Sequence, residues 1–125
     1  MIIGGTMRDF KTLKVWQKAH QLTLDVYRQT KDFPTEERFG LTSQLRRSAA
    51  SVPSAIAEGC GHSSEREFGR YCNIAAASAS ETEYPLYLAR DLGYLPADVH
   101  RQLDSQVNEV KRMLTGLIQK LTANR

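Results

Sequence analysis

The residues here with a chemistry to offer are mostly cations. The chain carries 17 lysines and arginines against 14 acids, for a formal net charge of +3. Lys11, Lys14 and Lys18 recur at three and four residues, so on a helix they share one stripe. Arg46 and Arg47 stand side by side in the middle of the chain. Arg101, Lys111 and Arg112 follow in the last quarter, with Lys120 and Arg125 beyond. Ammonium and guanidinium groups without a base-reading motif bind phosphates independently of sequence. These eight, Lys11 through Arg112, are the candidate nucleic-acid contacts, and each alone also reads as an ordinary solvated side chain.

Other chemistries find less support. Cys60, His62, Cys72, His20 and His100 are the candidate metal ligands, but no second ligand pair follows Cys60-Gly61-His62 at zinc spacing. The serines Ser48, Ser51, Ser54, Ser78 and Ser80 lie in no Gly-x-Ser-x-Gly elbow. Glu81 and Glu83 fall on different helix faces, and there is no Glu-x-x-His of the di-iron kind. Glu58 reads equally as a half-buried carboxylate held by an arginine or tyrosine and as a solvated terminal residue. Gly59-Cys60-Gly61-His62-Ser63-Ser64 has the look of a phosphate cradle, yet no strand precedes it and no Gly-Lys-Ser/Thr ends it. A cap glycine followed by a cap serine explains the same residues. No catalytic constellation, metal, cofactor or small-molecule substrate is expected.

Four periodic segments must position these groups. Val15, Ala19, Leu22 and Val26 repeat at 4-3-4 in a segment from about Lys11 to Lys31, with Trp16 and Tyr27 widening the stripe. Asp32-Phe33-Pro34 ends it. Leu41, Leu45, Ala49, Val52 and Ile56 define a second, from about Glu36 to Glu58, with Glu36 and Glu37 at the positive end of the dipole and Gly59 as its cap. The third, from about Ser64 to Leu92, opens on the capping box Ser64-Glu65-Arg66-Glu67 and closes at Gly93. Its run Ala75-Ala76-Ala77-Ser78-Ala79-Ser80 is small on several faces and hints at contacts beyond one monomer. The fourth starts near Pro96 as a first-turn proline and carries Val99, Leu103, Val107, Val110, Leu114, Leu117, Ile118 and Leu121. No strand alternation appears. The expected fold is all-α, an antiparallel up-down-up-down four-helix bundle over residues 8–125.

Pro53 sits inside the second segment, where it deprives the Ala49 carbonyl of its partner. A nearby serine hydroxyl or water is the expected substitute, with a kink that shapes curvature or a subunit contact. Arg46 and Arg47 differ by about 100° around a helix, so one is expected to be structural, paired with a carboxylate, and the other to face solvent or phosphate. Residues 1–7 read as an N-terminal extension or alternative start without a signal-peptide pattern. With no apolar run long enough for a span and two cysteines with no evident pairing, a reducing cytoplasm is expected. Charge is uneven: residues 8–31 carry six Lys/Arg against two acids, and residues 63–93 three against five.

Asp9-Phe10-Lys11-Thr12-Leu13-Lys14-Val15-Trp16-Gln17-Lys18-Ala19-His20, Phe33-Pro34, Phe39-Gly40-Leu41-Thr42-Ser43-Gln44, Arg46-Arg47-Ser48-Ala49 with Val52-Pro53, Ile56-Ala57-Glu58-Gly59, Glu67-Phe68 and Asp91-Leu92-Gly93-Tyr94-Leu95 occur in order. This set resembles the 23S rRNA intervening-sequence proteins, also called the four helix bundle protein family, over residues 8–122. Ala55 stands where the family usually has Asn, and Pro85 where it carries an ordinary helix former. The resemblance implies a ring-shaped homopentamer. Some members are encoded within insertions in large-subunit rRNA genes, and a related branch is a basic accessory protein of retroelements that binds nucleic acid and the reverse transcriptase. The function it implies is a non-catalytic oligomeric accessory protein that binds RNA or DNA, RNA favoured. The alternative is a protein-protein interaction scaffold with no nucleic-acid ligand.

Overall fold

The computed structural model describes residues 8–123; the expected extension at 1–7 lies outside the described residues. Four helices form: α1 Lys14–Thr30, α2 Leu41–Cys60, α3 Glu65–Asp91 and α4 Ala97–Ala123. Each packs on its neighbours in sequence, and α1 closes on α4, while the diagonal pairs α1–α3 and α2–α4 make no close backbone approach. Pairs of contacts fix the directions. Thr30 meets Arg46 while Thr23 meets Ala49, so α2 runs back along α1. Tyr71 lies at Gly59 while Thr82 meets Ser48, so α3 runs back along α2. Glu83 meets Lys111 while Gly69 faces Leu121, so α4 returns along α3. The result is an up-down-up-down four-helix bundle, with no strand among the described residues and no described helix long and apolar enough to cross a membrane.

The apolar stripes meet in the centre. Val15, Ala19, Leu22 and Val26 of α1 and Leu45, Ala49, Val52 and Ile56 of α2 are buried, as are Phe68, Cys72, Ala75, Ala79 and Leu86 of α3 and Leu103, Val107, Val110 and Leu114 of α4. Tyr27 departs from its expected place: it is exposed and lies beneath the Arg46 guanidinium, 4.6 Å from the ring centre. Ala55 is buried with the apolar core, so its position makes no polar side-chain contact.

Helix boundaries moved where side chains captured backbone groups. Lys11 is not in α1. Phe10–Thr12 form a separate 3-10 turn, capped by Asp9, whose Oδ1 accepts from the Lys11 amide at 3.0 Å. Leu13 is extended, and only then does α1 begin. The second helix does not start at Glu36. Thr35–Glu37 form a 3-10 turn, and Gly40 (φ −111, ψ −112) leaves the helical region before Leu41. Glu37 Oε1 reaches past Gly40 to accept from the Leu41 amide at 3.1 Å. Glu37 thus serves the helix N-terminus as an external cap rather than as a first-turn residue.

The other end of α2 was also misplaced. Gly59 is a buried helical residue, and the cap is Gly61, whose amide donates to the Glu58 carbonyl at 3.1 Å. A Cβ at Gly59 would stand 2.7 Å from Tyr71 Cβ and 3.2 Å from Phe68 Cδ1, so the glycine is there to let α2 and α3 touch. In α3, Ser64 Oγ accepts from the Glu67 amide at 3.0 Å as expected, but the Glu67 carboxylate turns to Arg70 instead of completing the box. Gly93 (φ +82) ends α3 in a Schellman motif, with Tyr94 N–H donating to Ala89 and Gly93 N–H to Arg90. Pro96 precedes α4 and offers its carbonyl to the His100 amide at 2.9 Å.

Candidate nucleic-acid interface

The three N-terminal lysines take different tasks. Lys11 is held by Asp9 at 3.2 Å and lies over the Phe10 ring. Lys14 and Lys18 share an exposed face of α1 one turn apart. Lys18 bridges to Glu109 of α4 at 3.4 Å, while Lys14 has no side-chain partner among the described residues. Both members of the Lys18–Glu109 pair are well exposed, so the pair holds the lysine weakly.

On α4 the cations diverge. Lys111 Nζ is half-buried against Glu83 of α3 at 2.9 Å, tying the two helices. Arg112, the next residue, points to solvent beside Gly116, Leu117 and Lys120. Arg101 is exposed eleven residues earlier, about 17 Å along the axis. Neither Arg101 nor Arg112 has a side-chain partner among the described residues.

The paired arginines separate as their positions around the helix require. Arg46 is structural, but its partner is no carboxylate. Its Nε donates to Thr30 Oγ1 at 2.8 Å and its Nη2 to the Tyr27 carbonyl at 3.3 Å, so it neutralises the negative end of α1. Arg47 is exposed and borders two adjoining surface grooves together with Gln44. One of them runs to Phe39, Leu88 and Leu92, the other to Tyr84 and Glu81. The eight candidates therefore do not converge on one patch. Lys14, Lys18 and Arg112 belong to the α1 and α4 side, Arg46 and Arg47 to α2.

Two cations escaped the sequence reading. Lys31 and Arg38 fall in the α1–α2 connection and join Arg46 around a pocket at that corner. No local pattern marks them as a set, because Lys31, Arg38 and Arg46 are spread over sixteen positions of the sequence.

The remaining candidates carry no site. No cluster of metal-ligating side chains occurs among the described residues. Cys60 and Cys72 are buried free thiols. Burial raises the Cys60 thiol, and burial with the neighbouring Cys60 pushes Cys72 from 9.0 to about 12, against an opposing pull from Arg8. Neither is a nucleophile at neutral pH. Ser48 accepts from Thr82 Oγ1 at 3.0 Å as an interhelix spacer, and Glu58 is exposed. Gly59 lies inside a helix and Ser64 caps its own helix, so the glycine-rich turn is a connection.

The sequence profile of a family described as 23S rRNA-intervening sequence protein matches residues 11–116. The chain belongs to this family. The match starts at Lys11 and ends at Gly116, covering α1 to α3 and most of α4. A solved protein of unknown function from the S23 ribosomal protein family of Bacteroides thetaiotaomicron VPI-5482 superposes with a TM-score of 0.75. At 24% identity, over 83% of this chain and 97% of that one, the likeness shows the fold alone. No curated protein matches the chain.

Proposed function

We propose that this family member is a non-catalytic, self-associating nucleic-acid-binding accessory protein of the cytoplasm, with RNA the favoured ligand and a homopentameric ring the favoured assembly. The observation that carries it is the division of charge between the two sides of the bundle. Helices α1 and α4 hold seven lysines and arginines against four acids, while α2 and α3 hold five against six. Lys14 and Arg112 on the first side have no competing carboxylate, so a phosphate backbone meets no prior partner there. The family's association by name with 23S rRNA intervening sequences points to RNA.

Self-association rests on the opposite side. Phe39, Leu92 and Tyr84 are exposed around Arg47, and apolar surface of this kind marks a contact face. Arg47 and Glu81 border the same groove without partners among the described residues. Opposite charges left open on one apolar face suit a neighbouring copy of the chain. Assembly would repeat a weak cationic patch around the particle and convert it to avidity.

Fluorescence anisotropy with structured RNA at low salt tests the binding. The expected result is association that weakens steeply as salt rises; no binding at tens of micromolar would sink it. Light scattering tests the assembly, which a clean 14.1 kDa species at micromolar concentration overturns. The exposed apolar face also favours a second reading, a scaffold for another protein. Nuclease-resistant recovery of a protein partner from native lysate would support that reading over the first.

A further inference from the structure

The connection between α1 and α2 folds into an open pocket of about 230 Å³. Lys31, Arg38 and Arg46 line it, with the hydroxyls of Thr35 and Thr42 and an apolar wall from Phe33. No carboxylate lines it. Asp32 and Glu36 lie in the same turn but outside the lining, and Glu37 is occupied by the Leu41 amide and the Tyr94 hydroxyl. Lys31 has no side-chain partner among the described residues, and Arg38 has only the Phe39 ring at 5.0 Å.

Arg46 is held so that it still has donors to give. A guanidinium has five N–H groups; two are engaged by Thr30 and the Tyr27 carbonyl, which leaves three. Thr30 Oγ1 in turn donates to the Val26 carbonyl at 2.8 Å, so it is a positioning residue that fixes the guanidinium plane. Thr42 adds a hydroxyl to this set. The residue is 8% exposed and borders the pocket. Its hydroxyl has no hydrogen-bond partner among the described residues and is not one of the fully buried polar atoms, so it is open to donate to a ligand.

Three cations, two free hydroxyls and no lining acid match the needs of a tetrahedral oxyanion, and guanidinium suits it by its planar fork. The volume lies below the roughly 300–1,000 Å³ of sites that enclose a whole small molecule. It fits one group presented by something larger. We propose that this α1–α2 corner binds a phosphate group, supplied by the backbone of a nucleic acid. The phosphate chemistry stands on the pocket itself; its source in a nucleic acid rests on the function proposed above, a free phosphate being the other source.

Two measurements test it. The first titrates the folded chain with inorganic phosphate, at constant ionic strength in chloride, and follows amide and threonine-methyl NMR signals. Saturable shifts at Thr42, Lys31 and Arg38 are expected, and their loss in the double variant Lys31→Ala/Arg38→Ala. Both side chains are exposed, so that variant should fold. Absent shifts, or shifts unchanged in the variant, overturn the site. The second measures affinity for single-stranded RNA against salt. The double variant should weaken binding for every RNA sequence and reduce the slope of log K on log salt by about 1.4, roughly 0.7 per phosphate-contacting cation on a single strand. If RNA binds the wild type and the double variant with equal slope, nucleic acid does not enter the corner, although the function proposed above survives. Phosphate shifts at the corner with no RNA binding at all would remove that function and leave a free-phosphate site.

Discussion

Thr23 Oγ1 of α1 lies 3.1 Å from the carbonyl oxygen of Ala49 in α2, the carbonyl that Pro53 deprives of its helical partner. The donor comes from the neighbouring helix rather than from a serine of α2 itself. Ser48 and Ser51 turn instead to the carbonyls of Leu45 and Arg47. A proline inside a helix becomes tolerable here because the bundle supplies a hydroxyl in place of the missing amide donor. The single Thr23 proton is shared with the Ala19 carbonyl at 2.9 Å, so the bond is modest.

Thr23→Val is nearly isosteric and removes that hydroxyl. It should lower stability by about 1 kcal/mol, the net worth of one such bond. In a Pro53→Ala background the residue-53 amide returns to Ala49, and the same substitution should cost less. A double-mutant cycle in urea measures the coupling; strictly additive effects would show that the Thr23 bond does not depend on the proline.

Gly59→Ala should destabilise the bundle by about 1–3 kcal/mol, the usual cost of overpacking. The added methyl meets Tyr71 Cβ at 2.7 Å, an atom fixed to the α3 backbone that no rotamer can move aside. Gly116→Ala is the control, since a Cβ there has nothing within 4 Å. That change should be neutral or stabilising, as a helical glycine gives way to a better helix former. Thermal melts of the two variants decide the matter, and equal midpoints would mean that α2 and α3 are not in tight contact at Gly59.

The bundle was readable because its core follows the helical period with few exceptions; Leu41, Leu45, Ala49, Val52 and Ile56 are all buried, as spaced. What sequence hid were choices made by side chains in space. Gly59 reads as a cap because glycine commonly ends helices, and only the approach of Tyr71 shows why the helix continues through it. Glu37 reads as a first-turn acid because nothing in the sequence says that Gly40 will let it fold back onto Leu41. The divergence of Arg46 and Arg47 followed from helix geometry alone. The partner of Arg46 did not, because a hydroxyl sixteen residues away leaves no local pattern. The corner pocket was missed for the same reason: Lys31, Arg38 and Arg46 lie seven and eight residues apart and meet only when the chain turns.

Cys72 yields a prediction in pH. Burial pushes its thiol from 9.0 to about 12, so the folded state favours the neutral form. For an acid whose folded pKa is raised, the stabilisation is fully present below the unfolded value and is lost as pH climbs towards the folded one. Stability should therefore hold at neutral pH and fall between about pH 9 and 12, with Cys60 adding to the trend in the same direction. Cys72→Ala should flatten this decline in urea titrations across that range. Thiol-directed reagents at pH 8 should label the native chain far more slowly than the unfolded one; equal rates would place the sulfurs at the surface.

The exposed side chains along α2 and α3 give a prediction about assembly. Phe39 is 87% exposed and Tyr84 67%, and the grooves beside them share Arg47 and Gln44. Neither ring is part of the core, so replacing both with serine should leave the thermal midpoint of a dilute sample little changed. If a neighbouring copy covers them, Phe39→Ser/Tyr84→Ser should reduce the mass measured by light scattering, because the apolar area that drives association is gone. Charge supplies the sharper comparison. Arg47→Glu places like charges on that face beside Glu81 and should weaken association further, and Glu81→Arg added to it should restore part of the mass if the two positions face each other across the contact. A particle whose mass survives all of these changes is held together by some other surface, and the aromatic face is then free for the protein partner of the scaffold reading.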